Sequence, residues 1–407
     1  MQKRVTTPTL ETEFCGVRFP NPFTLASAPP TTTGEMIMRA FDVGWGAAIT
    51  KSLTVGSENT VNVTPRLAAL EDPWGRKKGR PYGLQNIELA TTRPLEVWLE
   101  EIREIRERCP DNVIMASIMS DAHSPDAWQM LTVETQNAGA QIIEINLACP
   151  HGLPEVGMGA AIGANPELVG RVTRWCADVA EVPVIAKLTA TCSDIKEVAR
   201  AAMSNGASGI AAINTIGSIS GVDLDTLVPR PIVGAQSTHG GLSGPAIKPI
   251  ALRCVCDVAQ LGYPVSCSGG LWTWRDAAEF VLLGASNLQF CTLVMFCGYA
   301  VINGLKRGLL KFMEEKGFET IADFCGKSLD SFVAHGDLSR DYKVVARSDQ
   351  TICRKCGRCY TSCCDAGYQA ITWEKKQFPG YLSDECDGCA LCVNVCPEGA
   401  IQMVEVV

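Results

Sequence analysis

The 407-residue sequence has no long apolar run, little positive charge and no leader-like start. No stretch approaches the roughly 20 consecutive apolar residues of a membrane helix, so we expect no membrane-spanning segment. Met1-Gln2-Lys3-Arg4 runs into polar Thr7-Pro8-Thr9 without the apolar segment of a signal peptide. With 36 basic and 44 acidic residues, the net charge of −8 argues against nucleic-acid binding. We therefore expect a cytoplasmic chain that binds neither membranes nor nucleic acid.

A nicotinamide-binding motif is also missing. Such a motif, Gly-x-Gly-x-x-Gly, would have to follow a strand directly and open a helix in a doubly wound sheet. The nearest match, Gly157-Met-Gly159-Ala-Ala-Ile-Gly163, has the wrong spacing and follows a predicted loop. The sequence therefore predicts no nicotinamide site in this chain.

Cysteine, by contrast, is abundant. Of the 20 cysteines, 11 are scattered between Cys15 and Cys325, whereas 9 are concentrated between Cys353 and Cys396. Without signs of secretion, dense thiols are more often metal ligands than disulfides. The dense segment contains the run Cys-x2-Cys-x2-Cys-x3-Cys twice, from Cys353 to Cys363 and from Cys386 to Cys396. This is the spacing of bacterial ferredoxins with two [4Fe–4S] clusters, in which the fourth cysteine of each run ligates the other cluster.

This crossed spacing assigns four cysteines to each cluster. Cys364 stands where the second run has Pro397, and we expect it to ligate nothing. Paired zinc knuckles, the alternative, use two Cys-x2-Cys pairs per metal and leave the third and fourth cysteines of each run unexplained. The predicted ligands are Cys353, Cys356, Cys359 and Cys396 for cluster one, and Cys386, Cys389, Cys392 and Cys363 for cluster two.

Residues 1–307 alternate short apolar runs with helical patterns, which is typical of a β/α repeat. Eight such units in about 250 to 300 residues favour a (β/α)8 TIM barrel over a doubly wound sheet. Residues 308–345 are expected to form a helical connector, and residues 346–407 a ferredoxin-like α+β domain. The predicted strands are Phe23–Ala26, Ala47–Thr50, Val113–Ile118, Ile142–Asn146, Val184–Lys187, Gly209–Ile213, Val265–Cys267 and Asn287–Phe290, and the clearest helices are Pro166–Asp178, Ile195–Asn205 and Trp274–Leu283.

Polar side chains follow these strands, at the end of a barrel where active sites lie. Burying an unpaired ammonium group is costly, so Lys51 and Lys187 are expected to face an anion or an electron-rich ring. Gly269 and Gly270 follow the seventh strand, where backbone amides can approach a phosphate because glycine has no Cβ. The strand-end residues are Ser27, Lys51, Ser117, Asn146, Lys187, Asn214, Thr215, Ser268, Gly269, Gly270, Cys291 and Thr292.

Iron–sulfur clusters pass single electrons, whereas most metabolite redox steps move two, so a flavin mononucleotide (FMN) between clusters and substrate would reconcile the two. After the fourth strand the chain reads Asn146-Leu-Ala-Cys149-Pro150-His151. A flavin exchanges hydride with one carbon of a C=C bond, and the neighbouring carbon then needs a proton donor or acceptor. Cys149 is the predicted acid or base, the alternative being a buried structural cysteine. His151 is given no role.

Carboxamide side chains are the candidates for substrate recognition, because they present a donor and an acceptor together and can pair with a flat amide or imide edge. Asn86, Asn146 and Asn214, with Thr215, are these candidates. The lack of arginine among the strand-end residues favours a neutral substrate, although Arg66 leaves an anionic one open.

Over essentially its whole length, the chain resembles the dihydropyrimidine dehydrogenases, in the form that joins a dihydroorotate-dehydrogenase-like FMN barrel to a two-cluster ferredoxin domain. The paired cysteine runs are one part of the resemblance. The other motifs are Phe14–Phe23, Gly44-Trp45-Gly46 leading to Thr50-Lys51, Asn86-Ile-Glu, Ala116–Met119, Asn146–Gly152, Ala186–Thr189, Ile213–Thr215 and Gly241–Arg253.

The resemblance implies reduction of the 5,6 double bond of uracil or thymine. It also implies that electrons come from NAD(P)H through a separate subunit that carries FAD and further clusters, which makes the protein part of a hetero-oligomer. Cys149 would be the acid/base, and Asn86, Asn146, Asn214 and Thr215 would hold the pyrimidine. Lys51, Lys187, Gly241, Ser243 and Gly244 would lie at the flavin, and Gly269, Gly270 and Thr292 at its phosphate; Ser27, after the first strand, is assigned to the same cofactor site.

Two positions depart from the family pattern. Ala148 stands where the family commonly has serine, and Thr189-Ala190-Thr191 stands where Thr-Pro-Asn usually follows the lysine. Both changes are expected to remove a polar partner near the flavin or the substrate. Two alternatives therefore stay open: an FMN reductase of another unsaturated ring, and an electron-relay subunit without a substrate of its own.

Overall fold

The computed structural model describes residues 7–71, 81–150, 157–366 and 368–406. The chain divides into two compact units, Met1–Ser331 and Phe332–Val407. Within the described ranges, no helix is both long enough and apolar enough to cross a membrane.

Eight parallel strands of the first unit form a closed barrel, which confirms the predicted TIM barrel. Each strand pairs with its neighbours in chain order and the eighth pairs with the first, so the sheet has no free edge. The strands lie within two residues of their predicted bounds. They are β1 Phe23–Leu25, β2 Ala47–Ile49, β3 Val113–Ile118, β4 Ile142–Asn146, β5 Val184–Leu188, β6 Gly209–Ala212, β7 Val265–Ser268 and β8 Ala285–Phe290.

Helices follow the strands, and several begin at a side-chain cap. Thr33 accepts a hydrogen bond from the N–H of Met36, and Asn165 accepts from Glu167 and Leu168. The three helices predicted from the sequence each end one residue earlier than expected, because their last predicted residue is the C-cap. The helices of eight residues or more are α1 Gly34–Asp42, α2 Leu95–Arg108, α3 Pro125–Ala138, α4 Pro166–Ala177, α5 Ile195–Ser204, α6 Lys248–Ala259, α7 Trp274–Leu282 and α8 Ile302–Lys316.

The barrel interior is apolar at one end and polar at the other. A hairpin of Thr12–Phe14 and Val17–Phe19 packs Phe14 and Phe19 against the first residues of several strands, which closes the N-terminal end. Along β4, side chains two residues apart share one face, so Ile142 lies in this apolar cluster and Glu144 follows towards the other end. This alternation places the polar residues of the strands at the C-terminal mouth.

A four-stranded antiparallel sheet is built from the two long connections after β2 and β6, and the sequence analysis did not predict it. Its strand order is Ile216–Ser218, Gly240–Ser243, Pro81–Asn86, Leu67–Glu71. Asn86 lies opposite Gly241 in this sheet. The sheet thus brings residues more than 150 positions apart to one place.

The second unit is small and contains two short helices and two antiparallel strand pairs. Its core consists of Ala346, Cys359, Ile371, Cys392 and Ile401. The predicted boundary at residue 307 falls inside α8 of the first unit. The elements are β9 Val344–Ser348 paired with β12 Ile401–Glu405, β10 Ile371–Thr372 paired with β11 Gly380–Tyr381, and the helices α9 Arg358–Asp365 and α10 Leu391–Val395.

Candidate active site and cluster sites

A cavity of about 1050 Å³, open solvent at its mouth included, lies at the C-terminal ends of the barrel strands. Gly241 is not part of the wall and accepts a hydrogen bond from Asn86 Nδ2 through its carbonyl at 3.1 Å. The predicted site residues that line the cavity are Ser27, Lys51, Asn86, Asn146, Cys149, Lys187, Asn214, Thr215, Ser243, Gly244, Gly269, Gly270 and Thr292.

Two of the predicted recognition asparagines are joined in one hydrogen-bonded chain. Asn214 Nδ2 donates to Asn146 Oδ1 at 3.1 Å, and Asn146 Nδ2 donates to Ser52 Oγ at 3.0 Å. The hydroxyl of Ser52 in turn contacts those of Ser117 at 3.0 Å and Ser27 at 3.2 Å. The chain orients both amides before any ligand arrives, which is what selective recognition of a flat polar ring requires.

Lys187 is held by two groups inside the barrel. Its Nζ lies 3.1 Å from Glu144 Oε1 and 3.1 Å from Gln289 Oε1, and Glu144 is completely buried. A lysine ammonium has three N–H donors, so these contacts leave one for the cavity. The sequence predicted an anion or an electron-rich ring as the partner of this lysine, and the structure supplies an anion, the carboxylate of Glu144.

Lys51 is paired in a similar way. Its Nζ lies 3.2 Å from Glu88 Oε2, while Arg66 Nε lies 3.3 Å from Glu88 Oε1. Arg66, which left an anionic substrate open in the sequence analysis, is therefore engaged by a protein carboxylate.

Glu144 and Gln289 are the functional candidates that the sequence analysis missed. Gln289 Nε2 donates to Glu144 Oε2 at 2.9 Å and to Ser266 Oγ at 2.9 Å. From Ser266 the network continues to Asn287 at 2.7 Å. The sequence did contain a signal for Glu144. Ile142, Glu144 and Asn146 are spaced two residues apart and so share one face of β4, and a carboxylate on the inner face of a barrel strand needs a buried partner.

Cys149 is half-buried and follows β4 at the cavity wall. The N–H of Ala160 donates to the carbonyl of Cys149 at 2.9 Å, which places Ala160 beside the end of β4. Gly159 has φ +57°, and a Cβ on it would come within 2.5 Å of the same carbonyl oxygen. This close approach explains the glycine in the loop. His151 lies outside the described residues.

Small residues bring three backbone segments together on one side of the cavity. Gly269 and Gly270 follow β7 with φ +106° and +83°, and a Cβ on Gly270 would lie 2.4 Å from Lys248 Cα. Thr292 Oγ1 donates to Ser243 Oγ at 2.8 Å. This glycine-lined side, together with the lysine and asparagine donors of the same cavity, fits the phosphate and the polar ring edge of FMN.

Cys291 is a second thiol at the cavity wall. Burial raises the pKa of Cys291 to about 11, against the opposing effect of Lys51 and Lys187. Its Sγ lies 3.6 Å from Met295 Sδ. Cys291 is therefore a protonated thiol at neutral pH with a thioether neighbour, and no acid/base role is assigned to it.

In the second unit, the eight predicted ligand cysteines fall into two cavities of four, in the crossed pattern that the spacing predicted. The described part of the chain has no three His, Cys, Asp or Glu side chains arranged for a single metal ion. One cavity of about 350 Å³ is lined by Cys353, Cys356, Cys359 and Cys396, and the other, of about 380 Å³, by Cys363, Cys386, Cys389 and Cys392.

Glycines within both cysteine runs allow the chain to pass close to its neighbours. Gly357 follows Cys356 with φ +74°, and a Cβ on it would lie 2.7 Å from the Trp373 ring. Gly388 precedes Cys389, also at φ +74°, and its Cβ would lie 2.8 Å from a backbone oxygen. The cavities therefore fit [4Fe–4S] clusters in both donor set and local backbone. Cavities of both kinds in one chain characterise an oxidoreductase that couples one-electron carriers to two-electron chemistry.

Comparison with known proteins agrees with this class. The chain belongs to the dihydroorotate dehydrogenase family, whose model matches residues 9–313, and the model of the 4Fe-4S dicluster domain matches residues 346–403. The family implies FMN in the barrel, and the second domain implies iron–sulfur clusters. These matches confirm the predicted fold, the oxidoreductase class and both types of cofactor.

Three relatives show which members of this group the chain is similar to. It is 40% identical to the NAD-dependent dihydropyrimidine dehydrogenase subunit PreA of Escherichia coli strain K12, over 98% of this chain and 96% of the relative. It is 42% identical to the chloroplastic dihydropyrimidine dehydrogenase (NADP(+)) of Arabidopsis thaliana, over 83% and 80% of the two chains. It is 37% identical to the catalytic subunit of dihydroorotate dehydrogenase B (NAD(+)) of Pyrococcus abyssi, over 79% and 99%.

Proposed function

We propose that the chain is the catalytic subunit of a dihydropyrimidine dehydrogenase, which reduces the 5,6 double bond of uracil or thymine. The observation that carries the proposal is the single cavity in which Asn86, Asn146, Asn214 and Thr215 meet the thiol-bearing Cys149. Similarity to a dihydropyrimidine dehydrogenase subunit over 98% of the chain supports it.

The residues at the barrel mouth fit FMN, which supplies hydride transfer to one carbon of the double bond when it is bound. Lys51 and Lys187 would contact the flavin ring, along with Ser27, Ser243 and Gly244. Gly241 would support this wall indirectly, because its carbonyl accepts a hydrogen bond from the Asn86 side chain. Gly269, Gly270 and Thr292 would hold the phosphate from the glycine-lined side. We assign two [4Fe–4S] clusters, which carry single electrons when bound, to the two cysteine cavities.

The side chains of this chain would then perform recognition and proton transfer. A pyrimidine ring presents carbonyl and N–H groups along one edge, and carboxamides offer both complementary groups. The hydrogen bonds from Asn214 to Asn146 and from Asn146 to Ser52 fix the direction in which these amides point. Cys149 would donate a proton to C5 as hydride reaches C6, because its thiol lies in the wall of the same cavity as the recognition residues and a thiol can act as a general acid.

Electrons are proposed to come from NAD(P)H through a partner subunit that carries FAD. The sequence contains no dinucleotide-binding motif, so a nicotinamide would have to be oxidised elsewhere. The relative from Escherichia coli is named as a subunit of an NAD-dependent enzyme, which supports a partner of this kind. Co-purification with a flavoprotein that has a nicotinamide-binding motif is the expected result.

The two departures from the family pattern do not alter the cavity wall. Ala148 is completely buried behind it, and the hydroxyl of Thr191 contacts that of Thr189 at 2.7 Å. None of these three residues lines the cavity among the described residues.

The decisive experiment uses purified protein with FMN and clusters reconstituted without oxygen. The protein is reduced by a dye, and uracil, thymine or another unsaturated ring is added while flavin absorbance and product are followed. Reoxidation of the flavin with formation of the dihydropyrimidine is the expected outcome. Turnover of a different ring alone would favour the second enzyme class, and no reoxidation by any ring would favour an electron relay.

A further inference from the structure

Tyr381 ends strand β11 and lines the same cavity as Cys353, Cys356, Cys359 and Cys396. In the described part of the chain, its hydroxyl is the only buried side-chain nitrogen or oxygen atom that has no hydrogen-bond partner. Leaving such a group unpaired in the interior costs about 1 to 3 kcal/mol. An orphaned donor that costs this much indicates a missing acceptor.

The protein side chains around the hydroxyl do not provide this acceptor. Ser348, on strand β9, is close enough to affect the pKa of Tyr381, yet the two hydroxyls do not make a hydrogen bond of normal geometry. The ring itself cannot turn away freely, because Tyr381 is paired with Ile371 in the antiparallel β10–β11 ladder and packs on the core of the unit. The hydroxyl is therefore held in the wall of the four-cysteine cavity.

We propose that Tyr381 donates a hydrogen bond to a sulfur of the cluster held by Cys353, Cys356, Cys359 and Cys396, and thereby raises its reduction potential above that of the other cluster. The inference depends on the proposed cluster assignment. A hydrogen bond to cluster sulfur stabilises the reduced form more than the oxidised form, because the reduced cluster carries one more negative charge. Tyr381 thus acts on the potential and takes no part in ligation.

The other cysteine cavity has a tyrosine with a different arrangement. Tyr368 lines the cavity of Cys363, Cys386, Cys389 and Cys392, but it is 45% exposed. The nearby Asp387 carboxylate raises the pKa of Tyr368. The Tyr368 hydroxyl thus belongs to an exposed side chain, whereas the Tyr381 hydroxyl is buried without a partner among the described residues, so the two cavities are unequal although their cysteine spacing is the same. Electrons that enter the unit would settle preferentially at the cluster beside Tyr381.

The test is the variant Tyr381→Phe in the full-length protein with both clusters present, with Tyr368→Phe as the matched control. Midpoint potentials are measured by redox titration followed by electron paramagnetic resonance. Losing one hydrogen bond should lower the equilibrium constant for reduction roughly fivefold, which is about 40 mV for a one-electron couple. We expect the higher of the two potentials to fall by this amount in Tyr381→Phe, and neither potential to change in Tyr368→Phe.

Two further measurements identify results that would contradict the inference. They are the iron and sulfide content of each variant and the midpoint potentials of Ser348→Ala. Unchanged potentials in Tyr381→Phe, with full iron content, would overturn the inference and leave the cluster assignment intact. An equal fall in Ser348→Ala would also overturn it, because the tyrosine would then act through the serine. Wild-type protein that binds no clusters after reconstitution would contradict the cluster assignment itself.

Discussion

Within the described residues, the barrel pairs its buried side-chain polar groups with groups of its own, whereas the C-terminal unit leaves one hydroxyl without a partner. In the barrel, the Lys187 ammonium already has Glu144 and Gln289 as partners. In the second unit, the Tyr381 hydroxyl has none among the described residues. The barrel site is thus preorganised before FMN binds, while the cluster sites are completed by what they bind.

The apolar cores of the two units also differ, because the barrel core is large and the core of the C-terminal unit is small. The barrel buries Trp45, Trp98 and Trp128 completely within one large apolar cluster. The core of the C-terminal unit has five buried residues, of which Cys359 and Cys392 are predicted cluster ligands. A unit this small has low folding stability unless disulfides or bound metals add to it, and metal ligation then contributes directly to folding. Cofactor loss should therefore affect the two regions very differently.

The largest expected effect is that of removing iron. Oxidation and chelation should raise amide hydrogen exchange in the β9–β12 pair to nearly the rate of an unfolded chain, since four thiolates per cavity would lose their common partner. Strands β1 to β8 should keep their protection. Hydrogen exchange with mass spectrometry measures both regions in one sample. Equal protection of β9 and β12 with and without iron would show that the small core is sufficient.

Substituting Cys149 tests the catalytic side of the preorganised barrel. Cys149→Ala should lower turnover about 10² to 10⁴-fold, because a positioned proton donor contributes that much. FMN content and the flavin spectrum should not change, as the cavity wall is otherwise intact. Cys192→Ala, another half-buried thiol, which donates to the Thr189 carbonyl, should retain activity within about twofold. Full activity in Cys149→Ala would exclude the acid/base role.

Variants of the buried pair Lys187 and Glu144 separate an effect on folding stability from an effect on FMN binding. Glu144→Ala should lower the free energy of unfolding by about 3 to 5 kcal/mol, because it leaves a buried ammonium unpaired. Replacing both residues by methionine removes both charges and should recover most of this loss, while FMN binding stays impaired because the N–H donor is gone. Urea titration and flavin fluorescence measure the two effects. Recovery of FMN binding in the double variant would show that Lys187 does not contact the flavin.

Features fixed by local spacing could be predicted from the sequence. The eight strands were found because each is a short apolar run, and β3 and β4 match their predicted bounds. The crossed cysteine sets also followed from spacing alone, because three thiolates two residues apart must face one cubane.

Features that depend on distant parts of the chain were missed. Glu144 and Gln289 are 145 residues apart, and Asn86 and Gly241 are 155 apart, so no local pattern connects them. Lysine charge indicated that a partner was needed, and only the fold showed that a protein carboxylate supplies it. No sequence pattern singles out Tyr381, because what distinguishes it is a buried hydroxyl without a hydrogen-bond partner, which only the structure shows.

The smallest expected effect concerns two adjacent cysteines of helix α9. Cys363 lines a cluster cavity, whereas Cys364 lines neither of the two. Cys363→Ala should therefore remove about half of the bound iron, while Cys364→Ala should keep all of it and change stability by no more than about 0.5 kcal/mol. Iron analysis of the two purified variants is the measurement. The opposite result would mean that Cys364 is the crossing ligand, and the four-residue Cys-x3-Cys spacing would no longer explain how the two clusters share their cysteines.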